Sequence, residues 1–134
     1  MPNPVRQAAA IPIRDGLVCM VTSRSGRRWV IPKGRIEVRQ TAADAAATEA
    51  WEEAGVLGTL SVDPVGTFGY EKDGREHQAV VFVLTVDEVR EQWPEQYERR
   101  REWVTPEEAV TRIEEPELRK IVKAVFRNLR VSAG

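Results

Sequence analysis

Glu49, Glu52 and Glu53 stand at spacings of three and four in the segment 47–56, ATEAWEEAGV. On a helix those spacings bring all three carboxylates to one face, within mutual reach. Like charges so arranged cost stability: two of them about 6 Å apart, at an effective dielectric near ~20, repel by roughly 3 kcal/mol. Such a face has three uses. It can be a solvated acidic surface, a dock for a basic partner, or a seat for a divalent cation. The third removes the repulsion, and clustered hard oxygens suit Mg²⁺ or Mn²⁺ far better than zinc.

The elements that must carry this face can be read on either side of it. Thr41 with Asp44 three residues on comes close to a capping box, with Asp where Glu or Gln is usual. An alanine-rich run then leads to Ala54, and Gly55 is the expected stop. Upstream, Asp15-Gly16 separates AAAIPIR from LVCMVTS; downstream, Asp73-Gly74 separates VGTFGYEK from REHQAVVFVLTV. Asp-Gly between extended apolar runs predicts a tight hairpin, because both central residues need positive φ. Pro12 predicts an edge strand or a bulge. AVVFVLTV is almost continuously apolar and β-branched, as in a strand buried on both faces. Thr105-Pro106-Glu107-Glu108 opens a second helix with an N-cap, a proline at the first position and acids in the first turn. Leu118, Ile121, Val122, Val125, Phe126 and Leu129 form the apolar stripe of a last helix. The order of strands, helix, strands, helix predicts a mixed α/β domain with one helix inserted early.

At 134 residues the chain has the length of one domain, expected to span 1–134, and its 42% hydrophobic and 31% charged residues are those of a globular protein. A formal charge of −1 argues against a protein devoted to nucleic acid. The single cysteine, Cys19 in LVCMV, has no partner for an internal disulfide and reads as a buried strand residue rather than a nucleophile. No apolar run approaches the roughly 20 residues of a membrane helix, and the N-terminus lacks a signal-peptide core. A cytoplasmic protein, monomeric or homodimeric, is expected.

The stretch GRIEVRQTAADAAATEAWEEAGV resembles the Nudix box, G-x5-E-x7-R-E-U-x-E-E-x-G-U with U aliphatic. Gly34, Glu49, Ala50, Glu52, Glu53, Gly55 and Val56 fall at the matching positions, while Gln40 replaces the first Glu and Thr48 the Arg. SRSGRRWVIPKG, REHQAVVFVLTV and ERRREWVTPEEA are similar to the diphosphoinositol polyphosphate phosphohydrolase branch, which also cleaves diadenosine polyphosphates. The resemblance implies the Nudix fold, a mixed β-sheet in an α/β/α sandwich. It also implies hydrolysis of a phosphoanhydride bond by a metal-activated water. Glu49 and Glu53 are then the first ligands of Mg²⁺ (or Mn²⁺), and Glu52 is either the proton acceptor or a third ligand. In the family the box Arg helps orient the carboxylates, which Thr48 cannot do by charge. Because the missing Glu and Arg are opposite in sign, Gln40 and Thr48 form a candidate neutral replacement pair.

A small-molecule polyphosphate substrate calls for cations. Arg24, Arg27, Arg28, Lys33, Arg35 and Arg39 cluster near the box, with Arg75 and His77 after the second turn and Arg99, Arg100 and Arg101 in one run. Arginine forks bind phosphate bidentately, although Glu98 and Glu102 beside the triplet make local ion pairing a competitor. The resemblance singles out Ser23, Arg24, Arg28, Lys33, Arg75, Arg99, Arg100 and Arg101 as substrate contacts. The Lys33 carbonyl is also a candidate to face the metal. Lys33 and Arg35 replace glycines common in animal members of the branch. Trp29 and Trp103 are packing residues that could otherwise stack on a base. ADP-ribose or a nucleoside triphosphate is the alternative substrate, and a non-catalytic nucleotide-binding module the alternative class.

Overall fold

The computed structural model describes residues 2–133, with side chains as far as Val131. Met1 and Gly134, the outermost residues of the expected domain, lie outside it. In chain order the elements are β1 (Val5–Arg14), β2 (Leu17–Thr22), β3 (Trp29–Val30), β4 (Lys33–Arg35), α1 (Ala42–Glu49), a π-helical turn (Ala50–Ala54), β5 (Val56–Leu60), β6 (Gly66–Lys72), β7 (Arg75–Val89), β8 (Arg101–Val104), α2 (Pro106–Arg112) and α3 (Pro116–Ala133). Both Asp-Gly pairs are the expected hairpin turns: Asp15 and Gly16 have φ of 52° and 76°, and Asp73 and Gly74 have 52° and 73°.

The sheet is mixed. At its centre β1 runs parallel to β7, from Val5 opposite His77 to Ile13 opposite Thr85. The other edge of β7 carries β6 and then β5, and the other edge of β1 carries β4 and then β2, all antiparallel. β2 extends the sheet to β3 and β8. The expectation for Pro12 is therefore corrected: it lies in a central strand, opposite Leu84. Alternate backbone nitrogens of β1 face the β4 and β2 edge, and that of Ala10 donates to Pro32 O at 3.0 Å. Two residues on, Pro12 reaches this edge where pairing passes from β4 (Gln7–Ala9 side) to β2 (Ile13 and Arg14), so no ladder bond is lost.

Strand alternation divides the core into two layers. Ala9, Ile11, Ile13, Val18, Met20, Ala79 and Val81 face α2 and α3, where Ala109, Ile113, Leu118, Val122, Val125 and Phe126 cover them. Ala8, Ala10, Cys19, Val21, Phe82, Leu84 and Val86 face Ala45, Ala46, Ala50 and Ala54 of α1 and the π turn. This is the expected α/β/α sandwich, with the middle of β7, 79–84, covered on both faces. The alanines let the helix backbone approach the sheet closely, which fixes the height of the carboxylates above it. Cys19 is a fully buried strand residue, and burial pushes its thiol up to about 12. Leu129 departs from the expected stripe: it is 44% exposed and borders open hollows beside Ile13 and Val83. Among the described residues no helix is long and apolar enough to cross a membrane.

Candidate active site

Thr41 and Asp44 form a full capping box, Thr41 Oγ1 accepting from Asp44 N at 3.0 Å and Asp44 Oδ2 from Thr41 N at 3.2 Å. The shorter Asp thus does the work of Glu, and α1 starts where the sequence places it. Its end differs from expectation. Residues 50–54 form a π turn, closed by Gly55 at φ 67°. A π turn holds more residues than an α turn, so it brings Glu53 closer to alignment with Glu49 and turns Glu52 aside. Glu49 and Glu53 face one cavity, where the charge of Glu49 bears on Glu53, while Glu52 is half-buried beside them.

Glu53 is 5% exposed. Burial, aided by the like charge of Glu49 and opposed by Arg99, holds its carboxyl well above the ordinary range; burial raises that of Glu49 as well. A buried carboxyl beside a half-buried one disfavours two anions held together without a counter-charge. Glu53 Oε1 also accepts from Lys33 N at 3.4 Å, and its Oε2 lies 3.4 Å from Arg99 Nη2. Gly34 makes room for Glu49: a Cβ there would stand 2.3 Å from Glu49 Cδ and Oε1. Glu49, Glu52 and Glu53 line one polar cavity of about 480 Å³ together with Arg24, Lys33, Gly34, Arg35, Glu37, Gln40, Thr48 and Glu95. Gln40 and Thr48 line the same cavity with no hydrogen bond between them among the described residues, and Gln40 Oε1 accepts from Glu37 N at 3.0 Å. Among the described residues no three His, Cys, Asp or Glu groups already stand as a cluster of metal ligands. The carboxylate donor set of that cavity is nevertheless all oxygen, the chemistry a hard cation takes, so the residues fit such an ion.

The last carbonyls of a helix need partners from outside it. Here the segment 90–101 supplies all four. Glu95 N donates to Glu52 O at 3.0 Å, Trp93 Nε1 to Glu53 O at 3.0 Å, Arg101 Nη1 to Ala54 O at 2.8 Å and Arg90 N to Gly55 O at 2.9 Å. The Trp93 ring also fills the space beside Gly55, where a Cβ would meet it at 2.8 Å. Sequence reasoning missed this clamp and Glu95. Its signal was present in the unassigned Trp93-Pro94 and in the carbonyls that any helix stopping at Gly55 must satisfy.

The expected substrate contacts separate into two groups. Arg24 and Lys33 line the carboxylate cavity. The Lys33 ammonium lies 5.2 Å from the Tyr70 ring centroid, and burial pulls its pKa down, with Glu53 and Glu115 opposing. Arg75, exposed, donates to Asn3 O at 3.2 Å and lines a second depression with Arg6 and Arg35. Arg35 borders both hollows. The others are engaged by protein. Ser23 Oγ accepts from Arg28 N at 3.2 Å and closes its own loop. Arg28 pairs with Glu114 and, at 2.9 Å, with Glu115, which ties that loop to the start of α3. Arg99 is buried, Arg100 lies over Trp29, and Arg101 stacks on Trp93 at 4.1 Å while bonding Ala54 O and Arg90 O. The ion pairing expected at Glu102 is made instead with Arg112, at 3.0 Å, and not within the triplet. His77 stacks on Tyr70, centroids 5.0 Å apart, outside the carboxylate cavity. Trp29 and Trp103 are half-buried packing residues, Trp29 flanked by Arg100 and Arg112.

Comparison with known proteins accords with this arrangement. Solved structures of similar fold include an Ap4A hydrolase of C. elegans (TM-score 0.77, 20% identity, 95% of this chain and 99% of that one). A MutT protein of Methanosarcina mazei Go1 is comparable (TM-score 0.75, 20% identity, 96% and 97% covered). At that identity these speak to the fold alone. In sequence, diphosphoinositol polyphosphate phosphohydrolase 2 of Rattus norvegicus is 38% identical over 98 residues, 72% of this chain and 53% of its own length. Diphosphoinositol polyphosphate phosphohydrolase 3-alpha of Mus musculus is 39% identical over the same share of this chain and 58% of its own. The chain thus spans somewhat over half the length of the curated relatives it matches. The family profile described as NUDIX domain matches residues 4–125, and the chain belongs to the Nudix family.

Proposed function

We propose that this chain is a divalent-metal-dependent pyrophosphohydrolase acting on a highly phosphorylated small molecule, a diphosphoinositol polyphosphate or a diadenosine polyphosphate. The observation that carries the reading is the buried carboxyl of Glu53 with half-buried Glu49 and Glu52, in one cavity also lined by Arg24, Lys33 and Arg35. Glu49 and Glu53 would hold the metal, Mg²⁺ or Mn²⁺, with Glu52 adjacent. Such an ion, when bound, neutralises phosphoryl charge and acidifies water. Glu53 is engaged by Arg99 and Lys33 N, whereas Glu52 has no side-chain partner of that kind among the described residues. Glu52 is thus the carboxylate free to accept the proton of the attacking water. Lys33 and Arg24 orient the reacting phosphates. Arg35 continues the positive rim toward Arg6 and Arg75, so a long polyanion has cations along more than one phosphate. The names of the sequence relatives support the inositol substrate.

The test is release of phosphate or nucleotide, with Mg²⁺ or Mn²⁺, from inositol pyrophosphates, dinucleoside polyphosphates, ADP-ribose and nucleoside triphosphates. Turnover of one of the first two classes is expected, falling by about 10²-fold or more in Glu52→Gln. If the wild-type chain cleaves no member of the panel with either metal, the enzyme reading fails and a binding module takes its place.

A further inference from the structure

We propose that Arg99 is a positioning residue: its guanidinium, held on two sides by protein, sets the direction of the Glu53 carboxylate, for which residue 48 before Glu49 supplies no charge. The proposal rests on the hydrolase reading of the site. All three directions of the fork are used. Arg99 Nε reaches Glu95 Oε1 at 2.8 Å, Nη1 donates to Thr22 O at 2.9 Å, and Nη2 lies 3.4 Å from Glu53 Oε2. Arg99 and Glu53 are 9% and 5% exposed, so the contact is screened from water. The anchors are themselves fixed. Thr22 belongs to β2, and its Oγ1 accepts from Arg100 N at 2.9 Å. Glu95 N donates to Glu52 O, and Arg99 N to Glu95 O at 3.1 Å. The circuit from the Glu52 carbonyl through Glu95 and Arg99 to the Glu53 carboxylate therefore closes on adjacent residues. A planar fork that is bonded on two sides can aim its third edge, which a flexible ammonium cannot. With a protein partner at each of its three nitrogens and 9% exposure, Arg99 acts on the reaction through Glu53 and not through substrate.

Removing a buried ion-pair partner is strongly destabilising, so the informative variant is Arg99→Lys, which keeps the charge and loses the fork. Its partner is Arg99→Lys/Thr48→Arg, which places a guanidinium on another wall of the same cavity. Near-UV circular dichroism verifies the fold, and kcat, KM and Mn²⁺ affinity (electron paramagnetic resonance of free Mn²⁺) are read for each. Arg99→Lys is expected to lower kcat by about 10-fold to 10²-fold, to leave KM within about twofold, and to weaken Mn²⁺ by about 10-fold. The double variant recovers at least half of the loss on a logarithmic scale. A raised KM with kcat preserved would make Arg99 a substrate contact and overturn the proposal, as would wild-type kinetics in Arg99→Lys or no recovery in the double variant. If the wild-type chain hydrolyses nothing, the enzyme reading has failed separately. Arg99 is then judged on Mn²⁺ affinity, where a loss restored by Thr48→Arg supports positioning and an unchanged value refutes it.

Discussion

Gly34→Ala separates what the site needs from what the fold needs. Gly34 is not among the residues of positive φ, so alanine meets no backbone strain there. Its Cβ would stand 2.3 Å from Glu49 Cδ and Oε1 and 2.8 Å from Cγ. Ordinary carbon contacts begin near ~3.5 Å, so the carboxyl must retreat by about 1 Å. What gives way is the end of a flexible side chain. The stability loss should therefore be small, about 1 kcal/mol for an unfavourable rotamer. A misplacement of about 1 Å at a reacting centre, by contrast, can cost about 10²-fold in rate, or roughly 2.7 kcal/mol. The assay pairs thermal unfolding without metal with kcat/KM and Mn²⁺ affinity. The melting temperature should fall by a few degrees while kcat/KM falls by about 10²-fold. Activity and Mn²⁺ binding within threefold of wild type would show that Glu49 does not work from its seat beside Gly34. Loss of the folded state would show that the backbone, and not the carboxyl, yields.

Gly58→Ala should behave oppositely, because its Cβ would meet the backbone carbonyl of Thr85 at 1.9 Å, at the β5–β7 bulge; a destabilisation of about 3 kcal/mol is expected in urea, with kcat unchanged in the folded fraction. Trp93→Phe removes the bond to Glu53 O while keeping a ring beside Gly55, and should cost about 1 kcal/mol together with a fall in kcat larger than any change in KM. Arg35→Ala should raise KM for a polyphosphate several-fold and reduce its dependence on salt, since Arg35 borders both cation-lined hollows; a KM unchanged at low salt would remove it from the substrate path. Cys19 predicts an alkaline limb of stability. Its thiol rises from 9.0 to about 12 on folding, so its contribution is complete below pH 9 and is lost as the pH climbs toward 12. Between those values the unfolding free energy of wild type should fall more steeply than that of Cys19→Ala, by up to about 1.4 kcal/mol per pH unit. Parallel curves would refute it.

The parts of the molecule legible in its sequence are those set by neighbours along the chain. Asp-Gly demands positive φ at two adjacent residues, Thr41 reaches only three residues ahead, and the continuous apolar run of β7 needs nothing but its own side chains. Glu49, Glu52 and Glu53 meet for the same reason, since a single helix carries all three. The misread residues are those whose role depends on a distant strand. Pro12 reads as an edge residue until β4 and β2 are seen to share one side of β1 and leave it a gap. Arg99, Arg100 and Arg101 read as one basic patch because they are consecutive. A segment with alternating exposure splits them: Arg99 turns in to Glu53 and Thr22, Arg100 out over Trp29, and Arg101 onto Trp93. The sequence also could not reveal the π turn, which has no composition of its own. Its widened turn is tolerated because Glu95, Trp93, Arg101 and Arg90 take the four carbonyls at its end. The carboxylates are therefore positioned by two segments some forty residues apart, and a substitution in 90–101 should reach the chemistry without touching the box.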